Sequence, residues 1–365
     1  MSADNARPPV VVGDPVSVYK SLQREHTGGL RIAWAPFAHP DAPSGYGVIA
    51  GKLASALSSA GCDVLDHSEL GWKVAVAVSL PTAWPFPGGK PRGDMCWHTM
   101  YDCDPLPTGW ADVLNLNAAV WVPSVWVRDL FLDNGVTVPI FVSGYGVDVT
   151  LFHPMGRKKA GEGPMKFLAW GTGFTGRKNL IPTIKAFLAA GLPEKEATLE
   201  VKVNLGGGAP IFKDDEGRPF SNVKVVEGNW QVSKVAEWLR TGDVLIYLSS
   251  GEGFGLQPLE AMACGCAVIC ADNTGMREYL RAEVALPVVC RDREVSKIYS
   301  MRFPGGPFYQ YVPNQDHAIA HIRWCWEHQI EAAKVGRTAA AYVADKWSWG
   351  LAGVRAKAAL EARFG

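Results

Sequence analysis

Two series of alternating strand-like and helix-like segments, split by one apolar-poor stretch, constrain this 365-residue chain more than any other feature. In the first series, LRIAWAP (30–36), CDVLDH (62–67), KVAVAVSL (73–80), DMCWHTM (94–100), AVWVPS (119–124) and PIFVSGYGV (139–147) read as strands. VIAGKLASALSSAG (48–61), WADVLNLNA (110–118) and WVRDLFLDNG (126–135) carry helical period between them. HPMGRKKAGEGP (153–164) has no apolar period and reads as a linker. A second alternation then runs from MKFLAWG (165–171) to VALPVVC (284–290), and two long helical stretches, 316–346 and 349–363, follow. Strands separated by helices lie parallel, with the helices as crossovers. The expected fold class is therefore α/β, with two Rossmann-like, doubly wound domains facing each other across a cleft. The expected divisions are an N-terminal arm (1–29, with a short helix around 16–25), a first domain (30–152), the linker (153–164), a second domain (165–346) and a C-terminal helix (347–365), a candidate to cross back to the first domain.

Composition removes several function classes. Lys+Arg and Asp+Glu both number 36, so no overall charge calls for a polyanionic partner. No apolar run reaches membrane-spanning length, and MSADNARPPVVVGDPV lacks a signal pattern, which predicts a cytoplasmic protein without a membrane span. Eight cysteines are scattered; Cys264, Cys266 and Cys270 cluster, but without a second half-site or a His pair they read as small buried residues, not metal ligands.

In open α/β sheets ligands bind beyond the carboxyl ends of the strands, so the loops there carry the functional reading. The most informative is LIYLSSGEGFGLQPLEAMACG. Gly251, Gly253 and Gly255 permit tight turns, and Pro258 suits a first helical turn. The free N–H groups near Phe254–Gln257 form an anion site. Glu252 and Glu260 can face one ligand from two levels, each able to accept hydrogen bonds from vicinal hydroxyls. GTGFTGRKNL (171–180), which includes Gly173, places Arg177 and Lys178 after another strand. A guanidinium beside an ammonium suits a diphosphate. SGYG (44–47), with Gly45, Tyr46 and Gly47, reads as a third glycine loop. In WHTMYDCD (97–104), His98 ends a strand and Asp102 and Asp104 follow in a loop that could face the cleft.

EGFGLQPLEAMACGCAVI resembles the signature of retaining GT-B glycosyltransferases of the large glycosyltransferase family four. GYGVDVTLFHP (144–154), WGTGFTGRKNLIPTIKAFLAA, SGYGVIAGKLASALSSAGCDV and WADVLNLNAAVWVPSVWVRDLF resemble other parts of that family, so the likeness covers most of 30–350. The resemblance implies a transferase that moves a sugar from a nucleotide diphosphate sugar, of UDP or GDP type, to an acceptor hydroxyl with retention of configuration. Glu252 would contact the donor sugar, and Glu260 the ribose. Phe254, Gly255 and Leu256 would offer backbone near sugar and phosphates, Arg177 and Lys178 would neutralise the diphosphate, and Gly45 and Gly47 would approach it from the first domain. His98 would sit at the reacting face. No metal or other cofactor is implied, because the basic pair supplies the charge that Mg²⁺ supplies elsewhere.

The acceptor stays open: a glycan, a lipid-linked sugar, a small molecule or nucleic acid, including a hydroxymethylated base in DNA. A non-catalytic nucleotide-sugar-binding protein, a nucleotide-sugar epimerase and a phosphorylase are the other readings. Which of His98, Asp102 and Asp104 lies nearest the chemistry is likewise open. The basic, aromatic segment CRDREVSKIYSMRFPGGPFYQYVPN (290–314) is expected to be coil instead of a specificity loop.

Overall fold

The structure, a computed structural model, describes residues 29–36, 45–66, 71–81, 94–157, 160–173, 176–204 and 220–365. The expected arm helix, Ser44 of the SGYG run, and Phe174 and Thr175 of the basic loop lie outside these residues.

The first half contains β1 (Arg31–Pro36), α1 (Gly45–Ser59), β2 (Asp63–Asp66), β3 (Val74–Val78), β4 (Asp94–His98), α2 (Trp110–Leu114), β5 (Ala119–Val122), α3 (Val125–Asp133) and β6 (Ile140–Val142). Its six strands pair in the order β2-β1-β3-β4-β5-β6, and every pairing is parallel. β3 is buried along its whole length, as a strand covered on both faces must be. α1 begins at Gly45, so the GYG run is the first turn of a helix and not a separate loop.

The second half contains β7 (Met165–Gly171), α4 (Leu180–Ala189), β8 (Ala197–Val203), β9 (Val223–Glu227), α5 (Val232–Thr241), β10 (Val244–Tyr247), α6 (Leu256–Ala263), β11 (Ala267–Ala271), a 3₁₀ turn (Thr274–Glu278) and β12 (Leu286–Val288). Its sheet has the order β12-β11-β10-β7-β8-β9, again parallel. The chain runs outward from β7 through β8 to β9 and returns to β10 on the other side of β7. The β7/β10 seam is therefore the topological switch point, where the crevice of a doubly wound sheet opens.

Residues 290–314 are not coil. They form β13 (Asp292–Val295), α7 (Lys297–Arg302) and β14 (Tyr309–Val312), with β13 and β14 antiparallel. Apolar docking orders this insertion: Phe308 is fully buried in the aromatic cluster of the first domain, beside Tyr101, Trp110 and Leu106.

The helical tail is three helices, α8 (Gln315–Glu327), α9 (Gln329–Lys346) and α10 (Trp349–Phe364), with non-helical His328 dividing the stretch expected to be continuous. α10 packs on α1 of the first domain. A Cβ on Gly353 would lie 2.3 Å from the Ala56 carbonyl oxygen, and Lys357 Nζ donates to the Ala60 carbonyl at 3.0 Å. No helix among the described residues is long and apolar enough to cross a membrane.

Candidate active site

The loop between β10 and α6 runs from Leu248 to Gly255. Gly255 stands before α6 at φ +85°, a left-handed conformation that glycine adopts without strain. Gly251 serves a different need: a Cβ there would lie 2.2 Å from the Asp102 carbonyl oxygen of the first domain. Ser124 Oγ, also from the first domain, donates to the Gly253 carbonyl at 2.8 Å. The two halves thus meet backbone to backbone at this loop.

A chain of alternating charges crosses the seam. Asp102 Oδ2 lies 2.7 Å from Arg177 Nε, and Arg177 Nη1 lies 2.5 Å from Glu252 Oε1. Lys178 Nζ donates to the same Oε1 at 2.6 Å and to Gln257 Oε1 at 2.8 Å. Ser249 Oγ and the Tyr247 hydroxyl also donate to Glu252 Oε1, both at 2.7 Å. Burial alone would raise the Glu252 pKa, but Arg177 and Lys178 hold it well below the usual carboxylate range. Burial opposes charge on Arg177 too, yet Asp102 and Glu252 keep it firmly protonated. Lys178 is brought down to about 8 by burial, against the pull of Glu252.

Glu260 contrasts with Glu252. It lies one turn along α6 and lines the same cleft of about 570 Å³. Among the described residues nothing donates a hydrogen bond to its carboxylate, and burial pushes its pKa up to about 8, with Lys52 opposing. Such a carboxylate is ready to accept from ligand hydroxyls.

Farther along the cleft, at the ends of β7 and β8, Lys202 is 1% exposed. Its ammonium donates to Asn204 Oδ1 at 2.6 Å and lies 5.3 Å from the ring of Trp170 and 5.1 Å from that of Trp230. Burial, then the nearby charge of Lys234, lowers its pKa to about 8.

Most expected residues gather here. Tyr46, Asp102, Arg177, Lys178, Glu252, Gly253, Phe254, Gly255, Leu256 and Glu260 all line the cleft. Tyr46 sits in the first turn of α1, beside Gly45 and Gly47, and its hydroxyl donates to the Met100 carbonyl at 2.9 Å. The Phe254 ring turns inward, against Tyr145, Tyr279 and Trp347, so only its backbone is offered to a ligand. Gly173 lies in the basic loop with open space where a Cβ would stand.

His98 corrects an expectation. It pairs in register with Val78 and Trp121 in the centre of the sheet, so its side chain enters the core. It is 0% exposed, with Nε2 2.8 Å from the Tyr145 hydroxyl, and burial lowers its pKa to about 3. Tyr145, not His98, lines the cleft, and the first domain's polar face begins two residues later, at Met100–Asp102. Asp104 does not line the cleft of the basic pair and is bridged to Arg293. Cys264, Cys266 and Cys270 are buried and free, and among the described residues no group of His, Cys, Asp and Glu could hold a metal ion.

Trp230 lies in EGNWQ (227–231), a loop expected to bear on base choice, whereas sequence reasoning missed Tyr247, the Gln257 side chain, Lys202 and the insertion residues Tyr299, Arg302 and Phe303, all of which line the cleft or bind its charged groups. Tyr247 and Lys202 stand at carboxyl ends of strands, the position that could have flagged them.

Comparison with known proteins agrees with this architecture. Residues 221–295 match the family described as "Glycosyl transferases group 1". D-inositol 3-phosphate glycosyltransferase of Paenarthrobacter aurescens (strain TC1) is 31% identical over 150 residues, 37% of this chain and 35% of that protein. The curated relatives matched are spanned over only about a fifth to a third of their length. Sucrose-phosphate synthase from Thermosynechococcus elongatus superposes with a TM-score of 0.64 at 14% identity, covering 92% of this chain and 99% of that one. Anabaena Alr3699/HepE, solved in complex with UDP and glucose, gives 0.62 at 12% identity, covering 91% and 100%. The chain thus has a two-sheet GT-B fold, and residues 221–295 within it are similar to the glycosyl transferases group 1 family.

Proposed function

We propose that this protein is a glycosyltransferase that takes a sugar from a nucleotide diphosphate sugar, of UDP or GDP type, and transfers it to an acceptor hydroxyl with retention of configuration. The observation that carries this reading is the set Arg177, Lys178, Glu252 and Glu260, brought to one cleft at the switch point of the second sheet. A HepE structure of similar fold was solved with UDP and glucose, which supports a nucleotide-sugar donor.

The chemistry follows from the charges. Glu260 accepts from the ribose hydroxyls. The base lies toward Lys202, Asn204 and Trp230, where an indole face and an ammonium can stack on it and donate to it. The diphosphate meets Arg177, Lys178 and the free N–H groups of the first turn of α6. All four donors to Glu252 reach Oε1, which leaves Oε2 to a donor-sugar hydroxyl. In the reaction the bond from C1 to the β-phosphate oxygen breaks as positive charge develops on the ring. The acceptor oxygen bonds to C1 from the same face, and its proton passes to the departing phosphate. Arg177 and Lys178 stabilise the negative charge growing on that phosphate, the type of electrostatic assistance that dominates many enzymatic rate enhancements.

The test is to follow donor consumption and product anomers by NMR with UDP- and GDP-sugars. The proposal predicts a product of unchanged anomeric configuration and turnover that collapses in Arg177→Ala and in Lys178→Ala. Near-normal turnover in either variant, or an inverted product, would contradict it.

A further inference from the structure

Among the described residues, two that are not glycine take a left-handed backbone conformation: Asn179 at φ +50° and Thr274 at φ +45°. Asparagine visits that region with little strain. A β-branched residue does not, and it stays there only where its surroundings impose it. Both residues grip one loop, the loop that carries Glu252. Asn179 Nδ2 donates to the Leu248 carbonyl at 2.9 Å and to Ser250 Oγ at 2.6 Å. Thr274 Oγ1 accepts the Glu252 N–H at 2.9 Å.

The surroundings of Thr274 account for its conformation. Its hydroxyl donates to Asn273 Oδ1 at 2.9 Å, and Asn273 Nδ2 donates to the Ser249 carbonyl at 2.9 Å. The Gly275 N–H donates to the Glu252 carbonyl at 2.9 Å, and a Cβ on Gly275 would lie 2.2 Å from the Gly253 carbonyl oxygen. Consecutive residues of the 3₁₀ turn therefore bind both backbone polar groups of Glu252. At the other end of that turn, Glu278 Oε1 accepts the Val125 N–H of the first domain at 2.6 Å, so the turn is itself anchored. Asn273 and Thr274 are 0% and 1% exposed, and neither lines the cleft. Their role is not contact with a ligand. A turn that needed only a left-handed residue would be filled by glycine without strain. The hydroxyl is what glycine lacks.

We propose that Thr274 is a positioning residue for Glu252: its hydroxyl fixes the Glu252 main chain so that Oε2 is directed at the donor-sugar hydroxyl. Four side chains already hold Oε1, so the carboxylate can pivot only about that oxygen, and the backbone sets the pivot. The strained φ of Thr274 is the cost of placing an acceptor at the Glu252 N–H. This inference rests on the donor reading above, because the role exists only if Glu252 contacts the sugar.

The test is calorimetric. UDP, UDP-glucose, GDP and GDP-mannose are titrated into the full chain for the wild type, Thr274→Val, Thr274→Gly and Thr274→Ser. Valine keeps the branched shape and loses the hydroxyl. Glycine takes the left-handed φ without strain and also loses it, whereas serine keeps it. The quantity read is the ratio of the Kd of a nucleotide sugar to the Kd of its nucleotide alone. Thr274→Val and Thr274→Gly should each raise that ratio by about three- to tenfold, with the nucleotide alone changed by about twofold or less, and Thr274→Ser should restore most of the loss. A purely structural role would lower Tm in the valine and glycine variants and leave the ratio where it is; that result overturns the inference. So does a wild-type ratio in Thr274→Gly, a loss in Thr274→Ser as large as in Thr274→Val, or a wild type that binds nucleotides but none of their sugars. A wild type that binds none of the four ligands overturns the donor reading, and the inference with it.

Discussion

Glu252 and Glu260 are eight positions apart on one loop and helix, yet their surroundings drive them in opposite directions. Glu252 is held ionised by two cations, whereas Glu260 is half-buried without a donor among the described residues and is pushed up to about 8. A carboxyl whose pKa is raised by folding contributes stability below the ordinary carboxylate range and loses it as pH rises toward 8. Glu260→Gln should therefore flatten the fall in Tm between those limits, which a thermal melt series across pH would show. Nucleotide binding carries a second dependence. Ribose hydroxyls favour ionised Glu260, and a diphosphate favours protonated Lys178, also near 8. UDP affinity should then peak near that pH, and Glu260→Gln should remove the rising limb in calorimetric titrations; a flat profile in the wild type would contradict the assignment. Arg177→Ala should cost about 10²–10³ in turnover, the scale seen when one stabiliser of developing negative charge is removed. These acids and bases were legible because each follows a strand and a glycine turn. The partnering of Glu252 with Arg177, Lys178 and Tyr247 was not, since it depends on which strand ends become neighbours, and that is decided by the sheet order and not by local pattern.

At the scale of elements, the strands and crossover helices follow from period and from the absence of hairpin turns. The departures have separate physical causes. His98 was expected at the cleft because it ends a strand, but pairing on both sides with β3 and β5 commits its ring to the core. Residues 290–314 read as coil because their glycines and prolines interrupt any period; tertiary docking of Phe308 onto Tyr101 and Trp110 supplies the order that local propensity does not. The GYG run reads as a loop because glycines are poor helix formers, yet they occupy the first turn of α1. One prediction belongs to this scale. α10 lies so close to α1 that Gly353 has no room for a side chain, so Gly353→Ala should destabilise the fold by about 1–3 kcal/mol through overpacking. Chemical denaturation would measure it, and an unchanged midpoint would mean that the two helices are not held at this distance.

For the whole molecule, two parallel sheets present their crevices to each other, and the contact between them is both steric and ionic. Gly251 lets the second domain's loop touch the Asp102 backbone, and the Asp102 carboxylate holds Arg177. A diphosphate entering the cleft competes with Asp102 for that guanidinium, so donor binding and the relation between the halves are coupled. Asp102→Asn should therefore tighten UDP while loosening the empty cleft, and small-angle scattering without ligand should report a larger radius of gyration than the wild type.

The central claim is that Arg177, Lys178, Glu252 and Glu260 form one cradle for a nucleotide diphosphate. The most direct measurement is a thermal-shift and calorimetric titration of UDP, GDP and ADP with their sugars against the wild type, Arg177→Ala and Glu260→Ala. Binding raises apparent stability by mass action, so at least one nucleotide should raise the wild-type Tm, and at 100 times its Kd the gain should be about 2.7 kcal/mol. Each substitution should reduce that shift sharply. No shift with any nucleotide, or shifts in the two variants as large as that of the wild type, would contradict the account.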